Sequence, residues 1–179
     1  MKKKFLLFFV LLSIVWRVNA QNIINRYAAV TDICATILTL REQPGFSVGD
    51  SVLVIQMQGA QIRKNANNAS FGEITAIKGA GLYQFNRIAK IQGNRVWLAY
   101  TPLKDFDPNG KVQLIDVPFL GNPTMGNTTC KPWNGTIGGV LVFRAGIITL
   151  SGDLDVSGNG FRGGLVHHGG SSDSGNNQA

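Results

Sequence analysis

Four groups of side chains in this sequence have types and spacings that chemistry could use. Asp153-Leu154-Asp155-Val156-Ser157-Gly158-Asn159 sets oxygen donors at alternate positions with glycine sixth, as the opening of a calcium loop does. The continuation fails, because Gly164 stands where a bidentate glutamate would close the shell and no helical period flanks it. The same alternation is what a half-buried strand produces. His167-His168 could suggest a metal, but adjacent residues of an extended chain point to opposite faces and no third ligand is near in the sequence. Gly158-Asn159-Gly160-Phe161-Arg162-Gly163 has the glycine density of a phosphate loop without its lysine or its following helix.

Trp97, Tyr100 and Trp133 are aromatic surfaces on which a sugar ring could stack. Trp97 lies at the centre of a strand pattern and suits a core, which leaves Trp133 as the candidate for glycan contact. Both histidines lie in the glycine-rich tail, so no Ser/His/Asp or Cys/His set can be assembled. The expectation is a protein that is not an enzyme, with no cofactor and no catalytic, cofactor-binding or metal residue assigned.

The elements that must position these groups begin with a leader. Residues 1–20 have a basic start (Lys2, Lys3, Lys4), an apolar run from Phe5 to Trp16 and a Val18-Asn19-Ala20 cleavage pattern, which is the build of a secretory signal peptide. The run is short for a membrane span, and no later segment is long and apolar enough to replace it. The expected location is secreted or cell-surface, with no membrane span after cleavage. Four of the 17 basic residues lie in the leader, leaving 13 against 10 acidic, a net +3. That balance, without a clustered basic face, gives no reason to expect nucleic acid as a partner. Cys34 and Cys130 are the two cysteines of an exported chain, a context that favours a disulfide. Closing so long a loop could contribute up to about 4.7 kcal/mol; two unrelated buried thiols are the alternative.

The body, residues 21–117, reads as all-β, a small barrel or sandwich. Strands are expected at 36–40, 51–57, 71–77, 82–91, 94–100 and 111–117. A tight hairpin is expected at Gln92-Gly93-Asn94 and a turn at Asp107-Pro108-Asn109-Gly110. Residues 118–136, with three prolines and three glycines, read as a connector. From 137 to 166, short strands at 138–144, 147–150 and 153–156 with glycine corners suggest the first rungs of a β-helix or solenoid. An added hairpin fits the same spacing. Residues 167–179 form a Gly/Ser/Asn tail with too little apolar surface to order itself.

Four blocks, INRYAAVTDI, GFSVGDSVLVIQMQGA, ASFGEITAIKGAGLYQFNRIAKI and PWNGTIGGVLVFRAGIITLSGDLDVSGNGFRGG, carry a resemblance over nearly all of residues 23–166. In that order they resemble the amino-terminal module of large secreted surface proteins of Bacteroidota, which often end in a gliding-motility-associated or type IX secretion sorting domain. The resemblance implies a β-rich head leading into glycine-rich, β-helical sequence, an adhesin-like role at the cell surface, and no catalytic residues to carry over. Such proteins run on for hundreds of residues, so this chain reads as a fragment of that kind. Surface glycans or other cell-surface proteins are the implied partners, and a carbohydrate-binding or carbohydrate-active fragment is the alternative. In a bacterial product the sequons headed by Asn68, Asn127 and Asn134 carry little weight.

Overall fold

The computed structural model describes residues 22–65, 68–102 and 104–161. The leader, His167-His168, Gly164 and the tail 167–179 lie outside the described residues. In chain order the strands are β1 (Asn22–Ile23), β2 (Tyr27–Cys34), β3 (Ile37–Leu40), β4 (Ser51–Gln56), β5 (Gln61–Ile62) and β6 (Ile74–Ala76). They continue with β7 (Tyr83–Gln92), β8 (Arg95–Leu98), β9 (Val112–Asp116), β10 (Thr124–Met125), β11 (Thr128–Thr129) and β12 (Thr149–Leu150). The fold is all-β, as expected, and its centre is a closed barrel.

Six strands close that barrel in the order β2-β3-β8-β7-β4-β9, with β9 returning to β2 and every pairing antiparallel. Strict alternation decides which side chains face inward. Ala28 and Val30 from β2, Leu38 and Leu40 from β3, Val52 and Val54 from β4, and Val112 and Leu114 from β9 meet Ile88, Val96 and Leu98 in one core. Burying a side chain of this size stabilises the fold by about 1.5–3 kcal/mol. The β7–β8 hairpin turns through Gly93-Asn94, with Gln92 opposite Arg95. Register shifts interrupt β2 between Val30 and Asp32, and β7 between Ile88 and Lys90, which adds the local twist that closure needs. The expected strand at 71–77 shrinks to β6, which pairs with β5 in a small excursion off the barrel.

A second cluster lies outside the wall. Tyr27, Leu53, Ile115 and Val117 project outward from the barrel and are covered by Ile137, Val140 and Val142. The covering segment was expected to be a strand at 138–144, but apart from a single bridge at Arg144 it joins no ladder. Side chains hold it instead. Gln113 donates to Gly138 O and accepts from Gly138 N, at 3.0 and 2.9 Å. The Tyr27 hydroxyl donates to Val140 O at 2.6 Å. Asn25 donates to Val142 O and accepts from Val142 N, at 2.5 and 3.1 Å. Three side chains thus substitute for a neighbouring strand at alternate residues of an extended segment. Gly138 is required there: its φ is +105°, and a Cβ would lie 2.4 Å from Pro132 O.

Residues 118–156, joined by β1, form a third region, and its pairings are parallel. β1 pairs with β11, and β10 pairs with β12. Isolated bridges join Phe119 to Arg144 and Thr128 to Leu154. Residues 119–128 therefore run beside 144–154 at an offset of 25 residues, rising to 26 at the far end. Backbone bonds run alongside, spanning between 25 and 27 residues: Arg144 N to Pro118 O, Gly146 N to Gly121 O, Thr149 N to Pro123 O, Ser151 N to Met125 O and Asp155 N to Thr128 O. At a corner of this ladder a Cβ on Gly152 would lie 2.8 Å from Asn127 Oδ1. A simple added hairpin would have been antiparallel. The expected strand at 153–156 is reduced to the single bridge at Leu154.

Candidate interaction surfaces

The residues singled out for chemistry do not converge. Ser157 holds the exposed Asp155 carboxyl below its usual pKa, first through its side chain and then through its backbone amide, which donates to Asp155 Oδ1 at 2.8 Å. Among the described residues no three His, Cys, Asp or Glu side chains cluster as metal ligands would. Asn159 is structural: its side chain donates to Thr129 Oγ1 at 2.7 Å and its carbonyl accepts from Trp133 N.

The three aromatic candidates separate. Trp97 carries the Lys90 ammonium 4.8 Å from its ring centroid on the barrel wall. Trp133 is only 7 % exposed and packs at 5.1 Å against Phe161, whose ring is open to solvent. Tyr100, 69 % exposed, lines a different hollow from Trp133.

The expected disulfide is absent, because Cys34 and Cys130 are both free. Cys34 is exposed at the end of β2, where the chain turns through Ala35-Thr36. Cys130 is buried within electrostatic reach of Tyr27, at the start of the same strand, and burial pushes its thiol pKa up. The two ends of an eight-residue strand stand about 23 Å apart. A bridge needs Cα atoms within about 7 Å.

Among the described residues, two of the fold's hollows and one unpaired edge stand out as candidate interaction surfaces. The first hollow, about 660 Å³, lies at one end of the barrel between the loops after β4, after β6 and before β9. Gln56 organises it: this fully buried amide donates to Gln58 O and Lys78 O, at 2.8 and 2.9 Å, and accepts from Asp107 N at 2.9 Å. The rim carries Gln58, Gln61, Lys78, Asp107 and Asn109, with Phe161 as its aromatic wall. Sequence reading missed Gln56, since a glutamine ending an apolar strand looks like an ordinary surface residue.

The second hollow, about 460 Å³, lies on the outer face of β7. It is lined by Phe85, Arg87, Tyr100, Val117, Phe143 and Arg144 among others. Beside it, Arg26 spans two carboxylates, donating to Asp116 Oδ2 at 2.7 Å and to Asp50 Oδ2 at 3.0 Å. Partial burial works against the Arg26 charge, but Asp116 and then Asp50 outweigh it and raise the guanidinium pKa.

The edge left unpaired among the described residues belongs to residues 144–156. Leu150 sits in register with Met125, and Leu154 with Thr128. Met125 and Thr128, covered by the neighbouring segment, are 5 % and 2 % exposed; Leu150 and Leu154 are 60 % and 37 % exposed. The amides of Thr149 and Ser151 bond back to residues 123 and 125. Those of the alternate residue, Leu150, therefore face away from the ladder.

No protein-family model matches this chain, and no curated protein matches it. Among solved structures the chain is similar to the tailspike protein gp49 from Pseudomonas phage LKA1. That match has 10 % identity and a TM-score of 0.34, and covers 59 % of this chain and 21 % of that one. A likeness of this degree defines neither a fold nor an activity.

Proposed function

We propose that this chain is an exported, non-catalytic surface module, adhesin-like in character, whose barrel caps the parallel β stack of a larger glycine-rich protein. The observation that carries this reading is the contrast at matched register positions: Met125 and Thr128 are buried by the segment that follows, and Leu150 and Leu154 await the same treatment. A parallel segment repeating at 25–26 residues cannot bury its own apolar side, and stacking is how such units are stabilised. The leader-like residues 1–20 and the four-block resemblance to Bacteroidota surface proteins support export and a place at the cell surface. On this reading the last parallel segment is a rung of a β-helix.

Light scattering on the purified chain tests the cap. The open edge is expected to drive self-association, and a Leu150→Lys/Leu154→Lys variant is expected to be monomeric with an unchanged circular dichroism spectrum. A monomeric wild type with residues 147–156 resistant to protease would overturn it. A second reading, carbohydrate binding, is favoured by the first hollow, where the amides of Gln58, Gln61 and Asn109 share a rim with Lys78, Asp107 and the exposed Phe161. Glycan-array binding that falls with Phe161→Ala and with Trp133→Ala would support that reading, and an empty array would remove it.

A further inference from the structure

The apolar outer wall of the barrel does not stop where its cover stops. Residues 137–142 lie over the outward faces of β2, β4 and β9, and β7 is the next strand of the wall. Along β7, Tyr83, Phe85 and Arg87 are exposed at alternate positions, and the first two rings meet edge to face at 6.2 Å. The second hollow opens beside them, with Tyr100, Val117 and Phe143 completing its apolar walls.

Two guanidiniums flank this hollow and both lack a carboxylate among the described residues. Arg87 Nε donates to Gly49 O at 3.0 Å, and the Arg144 guanidinium lies 5.9 Å from the Phe119 ring centroid. The carboxylates of the adjoining hollow, Asp50 and Asp116, are both taken by Arg26. The floor is fixed in advance: buried Asn86 donates to Tyr100 O at 2.8 Å and accepts from the amides of Arg87 and Tyr100, at 2.8 and 3.2 Å. That leaves the Asn86 amide little capacity for a ligand.

We propose that this hollow docks a partner polypeptide that inserts an aromatic or aliphatic side chain flanked by carboxylates. Exposed aromatic rings beside arginine are the composition that carries binding energy in protein interfaces. Guanidiniums hold carboxylates through paired hydrogen bonds. A hydroxyl-rich sugar would find few polar partners here, because the walls are mostly carbon and the one buried amide is already used. The inference does not depend on the cap reading: of the hollow's residues only Arg144 belongs to the parallel ladder, and the exposed Leu150 and Leu154 take no part in it.

The test is an NMR titration of the isotopically labelled chain with a capped peptide Glu-Asp-Phe-Asp-Glu. Amide shifts are expected to be confined to residues 83–87, 100, 117 and 143–144, and to weaken with added salt. Capped Gln-Asn-Phe-Asn-Gln and Glu-Asp-Ala-Asp-Glu should each bind at least about fivefold more weakly, as should the Arg87→Gln and Arg144→Gln variants. Phe85→Ser, an exposed position that spares the core, should weaken binding similarly. The proposal is overturned if the first peptide shifts nothing up to about 2 mM, or if the controls bind equally well. It is also overturned if oligogalacturonate moves these amides while the peptide does not, or if the chain's own residues 162–179 give Overhauser contacts to Phe85.

Discussion

β9 (VQLID) and residues 147–150 (IITL) are both short and largely apolar, yet they end in opposite environments. All five residues of β9 are buried. All four of 147–150 are exposed. β9 has a hydrogen-bonded neighbour on each edge, the barrel core on one face and residues 137–142 over the other. Among the described residues, 147–150 have one neighbouring segment, on one edge. Composition makes a segment able to be buried; neighbours decide whether it is. Closure supplies those neighbours in the barrel, and in the parallel ladder the described residues supply them on one edge.

The largest expected effect separates the two regions. Leu114→Ala, in the fully buried core, should cost about 3–5 kcal/mol in denaturant unfolding. Leu150→Ala should cost less than about 0.5 kcal/mol in the same experiment. Equal costs would break the comparison. Next, Gln113→Ala removes both partners of Gly138 and leaves its buried backbone groups orphaned, at about 2 kcal/mol. Faster proteolysis within residues 137–142 would identify the released cover.

A smaller effect sharpens the account of that cover. Burial pushes the Tyr27 hydroxyl up to about 12 from an ordinary value of 10.0. The folded chain therefore holds this proton more tightly than the unfolded chain. The associated stability is fully present below pH 10.0 and is lost as pH rises through about 12. Tyr27→Phe should cost about 1 kcal/mol near neutrality, through loss of the bond to Val140 O. It should also flatten the part of the alkaline decline that wild type shows in this window. An unchanged decline would place its origin elsewhere. The smallest effect belongs to Leu150→Lys, which should leave barrel stability within about 0.5 kcal/mol while reducing self-association.

Much of the barrel was legible. β4, β7, β8 and β9 carry β-branched alternation, and Gly93-Asn94 marks their one tight hairpin. β2 was missed, since no strand was expected before residue 36: Ala28 and Ala29 have little strand propensity and owe their places to close packing within the wall. The segment 138–144 looked like a strand for a sound reason, since it is extended and apolar. Its backbone partners turned out to be Asn25, Tyr27 and Gln113, more than twenty residues away in every case, and no local pattern announces such bonds. Cysteine parity suggested a bridge, and the length of β2 separates the two thiols. The hollow beside Arg87 gathers β7, Tyr100, Val117 and Phe143, which only barrel closure and the returning cover bring together.

Native-state hydrogen exchange tests the central contrast most directly. The account predicts that amides of β4 and β9 exchange only with global unfolding. In the last parallel segment, Thr149, Ser151 and Asp155 should be protected to a lesser degree, and Leu150 should exchange freely. Protection of Leu150 matching that of Leu114, in a chain shown to be monomeric, would mean that the edge is already covered and would contradict the account.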